Sequence, residues 1–175
     1  MGYPDMMRDI MAQAVREAIA SRRKAIANMS IVDRLTGLYN REYFHLRLDE
    51  EMARSRQYGN KLSVILIDTG LALPGDHGRE SLRAGKTMQI IAEIIGDGLT
   101  DTIGLAFLYD EGKFAIILPE ADSQEAALIA DNMRKRIIEE KIQGMTPHAA
   151  VVQYRDHETI DAMIPAADDA LCENS

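Results

Sequence analysis

The stretch Asp33-Arg34-Leu35-Thr36-Gly37-Leu38-Tyr39-Asn40-Arg41 predicts a tight turn that leads directly into a helix. Gly37 permits the backbone conformation that such a turn requires. Asparagine is one of the preferred N-terminal caps, so Asn40 or a neighbouring residue can cap a helix that begins at about Glu42. This stretch is therefore interpreted as an entrance to a folded domain, and not as a set of reactive groups.

Downstream of this entrance, helical and β-rich segments alternate. Apolar periodicity predicts helices over residues 42–56, 81–95, 123–140 and 159–171, and β-rich apolar runs predict strands over 61–67, 102–109, 113–118 and 148–154. The segment 68–78 contains Pro74 and three glycines and is predicted to be a loop. Asp110-Glu111-Gly112 predicts a tight hairpin. One α/β domain, with helices packed on a sheet around that hairpin, follows for residues 32–175.

Upstream of the entrance, apolar residues recur at three- and four-residue steps over 6–29, without glycine or proline, which predicts one amphipathic helix. We assign residues 1–31 to this connector helix. Because an apolar stripe outside a core usually pairs with a second helix, we expect a homodimer or the continuation of an upstream coiled coil. The interface would comprise Met11, Val15, Ala18, Arg22, Ala25 and Met29. Arg22 falls on the apolar seam, so a helix packed back on its own domain stays an alternative.

The composition excludes several classes of protein. A hydrophobic content of 46% and a charged content of 27% are ordinary for a folded soluble domain. The formal net charge of -8 opposes binding to nucleic acid or to an anionic membrane surface. Cys172 is the single cysteine, no apolar run is long enough to span a bilayer, and no signal peptide is recognisable. We therefore expect a cytoplasmic domain without direct membrane contact.

The nine-residue entrance resembles the D-x-L-T-G-L-x-N-R opening of the GGDEF family at every specified position. The resemblance continues in order over residues 31–175, through Tyr43-Phe44, Ile67-Asp68, Phe114–Pro119 and Ala167-Asp168-Asp169-Ala170-Leu171. It implies a nucleotidyl-cyclase-like α+β fold, with a mainly antiparallel sheet flanked by helices. It also implies a place in bacterial signalling, usually behind a helical connector. Active members of the family join two GTP molecules into cyclic di-GMP.

Active members of that family hold divalent metal with two carboxylates, and the resemblance leaves only one of them here. Asp68 occupies the first position and is the remaining candidate metal ligand. An ungapped alignment sets four residues against the Gly, Gly, Asp and Glu of the family's hairpin: Asp110, Glu111, Gly112 and Lys113. Lys113 therefore replaces the second metal carboxylate, and its ammonium would repel a dication.

Positions that contact the nucleotide in active members are changed as well. Gly70 replaces the second aspartate of the family's D-x-D pattern. Other phosphate and guanine positions are occupied by Leu73, Asp76, Gly85 and Ser175. The R-x-x-D site through which product inhibits active members corresponds to Asp101 and Gly104, so both its cation and its carboxylate are missing. We therefore assign no catalytic residue and no product-inhibition site.

Other reactive groups are isolated in the sequence. His45, His77, His148 and His157 lack the close spacing of a zinc site, and Cys172 is interpreted as a packed thiol. The sequence thus predicts an inactive signalling module without a cofactor, whose partner is another protein or an adjoining sensor domain. The alternative is a non-catalytic receptor for a guanine nucleotide or cyclic di-GMP, and residual diguanylate cyclase activity is the least favoured interpretation.

Overall fold

The computed structural model describes Gln13 and residues 31–71, 79–142, 144–155 and 159–173. The chain divides into two units, Met1–Ile31 and Val32–Ser175. Apart from Gln13, the connector helix predicted over 6–29 lies outside the described residues, and so do its six predicted interface residues. Its assignment, and that of residues 1–31 as a separate segment, stays a prediction.

The described part of the second unit contains four helices and four strands. They are α1 (Arg41–Tyr58), β1 (Leu62–Asp68), α2 (Arg79–Gly98), β2 (Leu105–Asp110), β3 (Lys113–Pro119), α3 (Ser123–Glu139), β4 (His148–Gln153) and α4 (Ile160–Glu173). The four strands form one sheet in the order β2-β3-β1-β4, and every neighbouring pair is antiparallel. The predicted antiparallel sheet flanked by helices is confirmed.

The predicted strand over 102–109 begins three residues too early. The amide of Thr100 donates to the carbonyl of Asp97, and the amide of Thr102 donates to the carbonyl of Leu99. These bonds extend the end of α2 as a tight turn, so the backbone becomes extended only at Leu105.

Strand β1 lies inside the sheet, between β3 and β4, and contributes residues to the hydrophobic clusters on both faces. Val64 and Leu66 lie in the cluster that contains residues of α1 and α4, whereas Ile65 and Ile67 lie in the cluster with residues of α2 and α3. A strand buried on both faces reads as a continuous apolar run, as Leu62–Ile67 does. The last residue of this strand, Asp68, is half-buried.

The entrance motif builds a turn and a helix cap. One carboxylate oxygen of Asp33 accepts hydrogen bonds from the amide and the hydroxyl of Thr36, at 2.8 and 2.7 Å. Gly37 has a φ of 73°, and the Asn40 side chain accepts from the amide of Tyr43 at 2.9 Å. Tyr39 then bridges to Phe107 on strand β2. The motif therefore fixes the start of α1 against the edge of the sheet.

Candidate functional site

The sheet register sets Asp68 directly opposite Lys113. Asp68 is the last residue of β1 and Lys113 the first of β3, and the two are Cα partners in the antiparallel pair. The Lys113 Nζ lies 3.9 Å from Asp68 Oδ2. The structure thus brings together Asp68, the predicted metal candidate, and Lys113, the predicted replacement of the second carboxylate, and the two side chains form an ion pair.

A second carboxylate approaches the same ammonium from helix α4. Lys113 Nζ donates a hydrogen bond to Asp168 Oδ1 at 3.3 Å. The sequence analysis assigned no role to Asp168, although it lies within the Ala167–Leu171 stretch that carried the resemblance. Helix periodicity could not place it beside the hairpin, because that contact depends on how α4 packs against the sheet.

The surroundings keep Lys113 charged. Burial lowers the pKa of Lys113, but the hydrogen bond and charge of Asp168, followed by the charges of Asp68 and Asp110, outweigh it. The net effect raises the pKa above its ordinary value. An ammonium therefore occupies the place opposite Asp68 throughout the neutral range.

These residues do not fit a divalent metal. Metal–oxygen coordination requires carboxylate or carbonyl oxygens within about 2.0–2.6 Å of the ion, and Lys113 supplies a positive charge instead. Within the described part of the chain, no group of three His, Cys, Asp or Glu side chains could hold a metal ion. Asp68 is the only predicted metal candidate, and its carboxylate already faces Lys113.

Gly70, which the sequence analysis aligned with the second aspartate of the D-x-D pattern, lies in a conformation and a space that favour glycine. Its φ is 64°, a conformation that favours glycine, and its amide donates to Asp68 Oδ1 at 2.9 Å. A Cβ at this position would lie 2.7 Å from Thr146 Oγ1 and 3.0 Å from the Thr146 carbonyl oxygen. A carboxylate side chain is therefore excluded at residue 70 unless the neighbouring loop moves.

The hairpin tip carries two exposed carboxylates, as the sequence predicted. Asp110 Oδ1 accepts from the amide of Glu111 at 2.8 Å, and Gly112 has a φ of 74°. Asp110 Oδ2 lies 3.9 Å from Arg41, whose guanidinium is 4.7 Å from the centre of the Tyr109 ring. Asp110 thus faces a cation on α1, and the tip presents no glycine pair to a triphosphate.

The structure describes some of the remaining predicted positions and does not describe the others. Asp101 is exposed, and Gly104 is packed so closely that a Cβ would lie 2.9 Å from side-chain carbons of Leu99 and Leu118. A Cβ on Gly85 would lie 3.5 Å from Leu35, an ordinary contact. The described residues do not include Leu73, Asp76 and Ser175, and the side chain of Cys172 is not described.

A cavity of about 480 Å3 lies away from this site, between α1 and the start of α4. Its lining includes His45, Asp49, Arg56 and Asp161, none of which the sequence analysis had assigned to a site. Burial, followed by the charge of Arg41, lowers the pKa of His45. The hairpin residues do not contribute to this cavity, so its volume gives no support for nucleotide binding at Lys113.

Comparisons with known proteins agree with this architecture. A family model described as diguanylate cyclase, GGDEF domain, matches residues 30–71. Diguanylate cyclase DosC of Escherichia coli K12 is 22% identical over 147 residues, covering 80% of this chain and 32% of DosC. The chain therefore spans about a third of the length of this curated relative.

Two solved structures share the fold at low sequence identity. The coiled coil and GGDEF domain of DgcB from Caulobacter crescentus, in complex with c-di-GMP, has a TM-score of 0.74 at 19% identity. The comparison covers 95% of this chain and 92% of the DgcB chain. Diguanylate cyclase SiaD of Pseudomonas aeruginosa, in complex with its activator SiaC, has a TM-score of 0.71 at 22% identity. That comparison covers 98% of this chain and 70% of SiaD.

A search of the described helices for an apolar stretch able to cross a membrane found none.

Proposed function

We propose that this chain, whose residues 30–71 match the model of the GGDEF domain family, is a catalytically silent module of cyclic di-GMP-type signalling that acts through protein contacts. One observation carries the proposal. The position opposite Asp68 holds the Lys113 ammonium at 3.9 Å, where active members of the family have a metal-binding carboxylate. Joining two triphosphates requires cations that neutralise phosphate charge, and this pair leaves Asp68 without a partner ligand for one.

The surrounding backbone supports the same conclusion. Gly70 cannot take a carboxylate without a clash with Thr146, and Gly104 is packed against Leu99 and Leu118. Asp110 and Glu111 place negative charge at the hairpin tip, where a triphosphate would experience repulsion. A single substitution at Lys113 would therefore not rebuild an active site.

A turnover assay tests this proposal. The purified chain and its Lys113→Glu variant would be incubated with GTP and either Mg²⁺ or Mn²⁺, with diguanylate cyclase DosC as the positive control. We expect no cyclic di-GMP above the enzyme-free background from either protein. Product formed by the unmodified chain would show that the proposal is wrong.

The alternative function, a receptor for a guanine nucleotide or cyclic di-GMP, rests on the retained carboxylate of Asp68. The DgcB neighbour was crystallised with c-di-GMP, which makes that ligand the first one to test. Calorimetry with GTP, GDP and cyclic di-GMP separates the two functions. A Kd weaker than about 1 mM for all three, equivalent to about 4 kcal/mol, would exclude the receptor.

The partner is proposed to be a protein or an adjoining sensor domain, or a second copy bound through residues 6–29. SiaD was solved with its activator SiaC, and the DgcB structure includes a coiled coil, so both kinds of contact occur among the structural neighbours.

A substitution in the predicted helix tests the homodimer. Val15→Glu would place a charge on the predicted apolar stripe and convert a dimer into a monomer. Sedimentation equilibrium provides the measurement, with Arg16→Glu on the polar face as the control. A monomer for the unmodified chain, or a dimer insensitive to Val15→Glu, would support a helix packed on its own domain.

A further inference from the structure

Three elements meet at the Lys113 ammonium. Asp68 approaches from β1 at 3.9 Å and Asp168 from α4 at 3.3 Å, while Lys113 itself begins β3. The exposed fractions of the three side chains are 34% for Lys113, 35% for Asp68 and 40% for Asp168. The pairs are half-buried, so water and salt screen their attraction less than they screen a fully exposed ion pair.

Within the described residues, Lys113 is the cation that these two carboxylates share. Its ammonium lies within ion-pair distance of both, at 3.9 Å from Asp68 Oδ2 and 3.3 Å from Asp168 Oδ1. Arg41 is the nearby alternative, but its guanidinium pairs with Asp110 at 3.9 Å and lies against the Tyr109 ring. One ammonium therefore pairs with two carboxylates from different elements.

The orientation of Asp68 is fixed by two different partners. Its Oδ1 accepts a hydrogen bond from the amide of Gly70, and its Oδ2 faces Lys113. Gly70 in turn lies against Thr146. The amide of Thr146 donates a hydrogen bond to the carbonyl oxygen of Thr69 at 3.2 Å. One of the two partners of Asp68 is therefore a backbone amide, which a substitution at Lys113 leaves in place.

We propose that Lys113 is a tethered cation that substitutes for a divalent metal, joining β1, β3 and α4 so that the fold neither requires nor admits a metal ion beside Asp68. The inference rests on the proposed function, since it concerns the same site, and it adds a structural role for the lysine. The family's metal does not fit here because its position already contains a positive charge that belongs to the chain.

Removing the ammonium leaves Asp68 and Asp168 with unbalanced charge. Lys113→Met keeps most of the aliphatic length of the side chain and deletes the cation. Two carboxylates that share a site repel each other, so the variant should be less stable, and a soluble divalent cation should bind between them. Binding to the folded state alone raises the melting temperature by mass action.

Thermal unfolding with and without Mn²⁺ measures this effect, with sodium chloride added to match ionic strength. At about 10 mM Mn²⁺, we expect the Tm of the unmodified protein to change by less than about 1 °C and that of Lys113→Met to rise by about 3 °C or more. Lys135→Met is the matched control, because Lys135 forms an exposed ion pair with Asp131 on α3. Its Tm should not respond to Mn²⁺. An equal response from the unmodified protein and Lys113→Met, or none from Lys113→Met, would overturn the inference.

A second variant keeps the inference testable if Lys113→Met does not fold. Asp168→Asn retains the ammonium and Asp68 and removes one acceptor charge, so its Tm should fall without any gain of a Mn²⁺ response. A Tm equal to that of the unmodified protein would overturn the role of Asp168. These measurements contain no nucleotide, so an unexpected Mn²⁺ response would contradict the tethered cation and leave the turnover result, which tests the proposed function, unaffected.

Discussion

The hydroxyl of Thr69 donates a hydrogen bond to the Gly112 carbonyl oxygen at 2.9 Å, and the Thr69 amide donates to the same oxygen at 3.0 Å. Thr69 is fully buried, directly after β1, and its hydroxyl oxygen also accepts from the amide of Leu71 at 3.2 Å. One side chain thus connects the end of β1 to the hairpin turn. This connection holds Asp68 and Lys113 in register.

Thr69→Val keeps the shape of the side chain but removes the hydroxyl. The Leu71 amide then loses its acceptor in a half-buried position, so we expect the free energy of unfolding to fall by about 1–3 kcal/mol. Urea denaturation followed by circular dichroism measures the change. Thr87→Val is the control, because the Thr87 hydroxyl donates to the Arg83 carbonyl on an exposed helix surface. Equal losses for the two variants would show that the buried hydroxyl has no special role.

Gly70→Asp restores the residue type that the family's D-x-D pattern requires, and we expect it to destabilise the fold. A φ of 64° costs a non-glycine residue about 1–2 kcal/mol, and the 2.7 Å approach to Thr146 adds a steric cost. Gly144→Asp is a matched control, since its φ is 80° and a Cβ there would contact nothing within 4 Å. Urea denaturation should show the larger loss for Gly70→Asp. A smaller loss would contradict the steric argument.

Glu120→Gly should stabilise the protein. Glu120 follows β3 with a φ of 65°, which glycine adopts without strain. The exposed contact with Arg54, at 4.0 Å, contributes little, so we expect a net gain of about 0.5–1 kcal/mol. Glu140→Gly, at a φ of -66°, should instead be neutral or destabilising. Thermal melts compare the two variants, and a gain in Tm for Glu140→Gly equal to that for Glu120→Gly would contradict the prediction.

His45 should make stability depend on pH below neutrality. Burial and then the charge of Arg41 lower its pKa in the folded state below the ordinary value of 6.5. The unfolded chain therefore binds more protons as the pH falls through 6.5, so the free energy of unfolding decreases in that direction. His45→Gln should show a smaller loss between about pH 7 and pH 5. Urea titrations at several pH values test this, and identical slopes for both proteins would exclude His45 as the cause.

Much of the fold follows from local signals in the sequence. Asn40 caps α1 because its side chain reaches the amide of Tyr43, three residues away. The Glu111-Gly112 turn lies where the sequence placed a hairpin, because Gly112 adopts a positive φ that other residues resist. The continuous apolar run of β1 predicted a buried strand, and both of its faces are covered. These features depend on a few consecutive residues, so the sequence alone determined them.

The site required contacts that local patterns do not specify. The sequence predicted Asp68 as a retained carboxylate and Lys113 as the replacement of another, and it predicted that the ammonium would repel a metal. Only the sheet register showed that the two side chains lie opposite each other, and only the packing of α4 brought Asp168 to the same ammonium. Likewise, the close approach of Thr146 to Gly70 depends on how two distant loops meet. Periodicity assigns a residue to a face of its own element, whereas the partner on the neighbouring element is decided by tertiary packing.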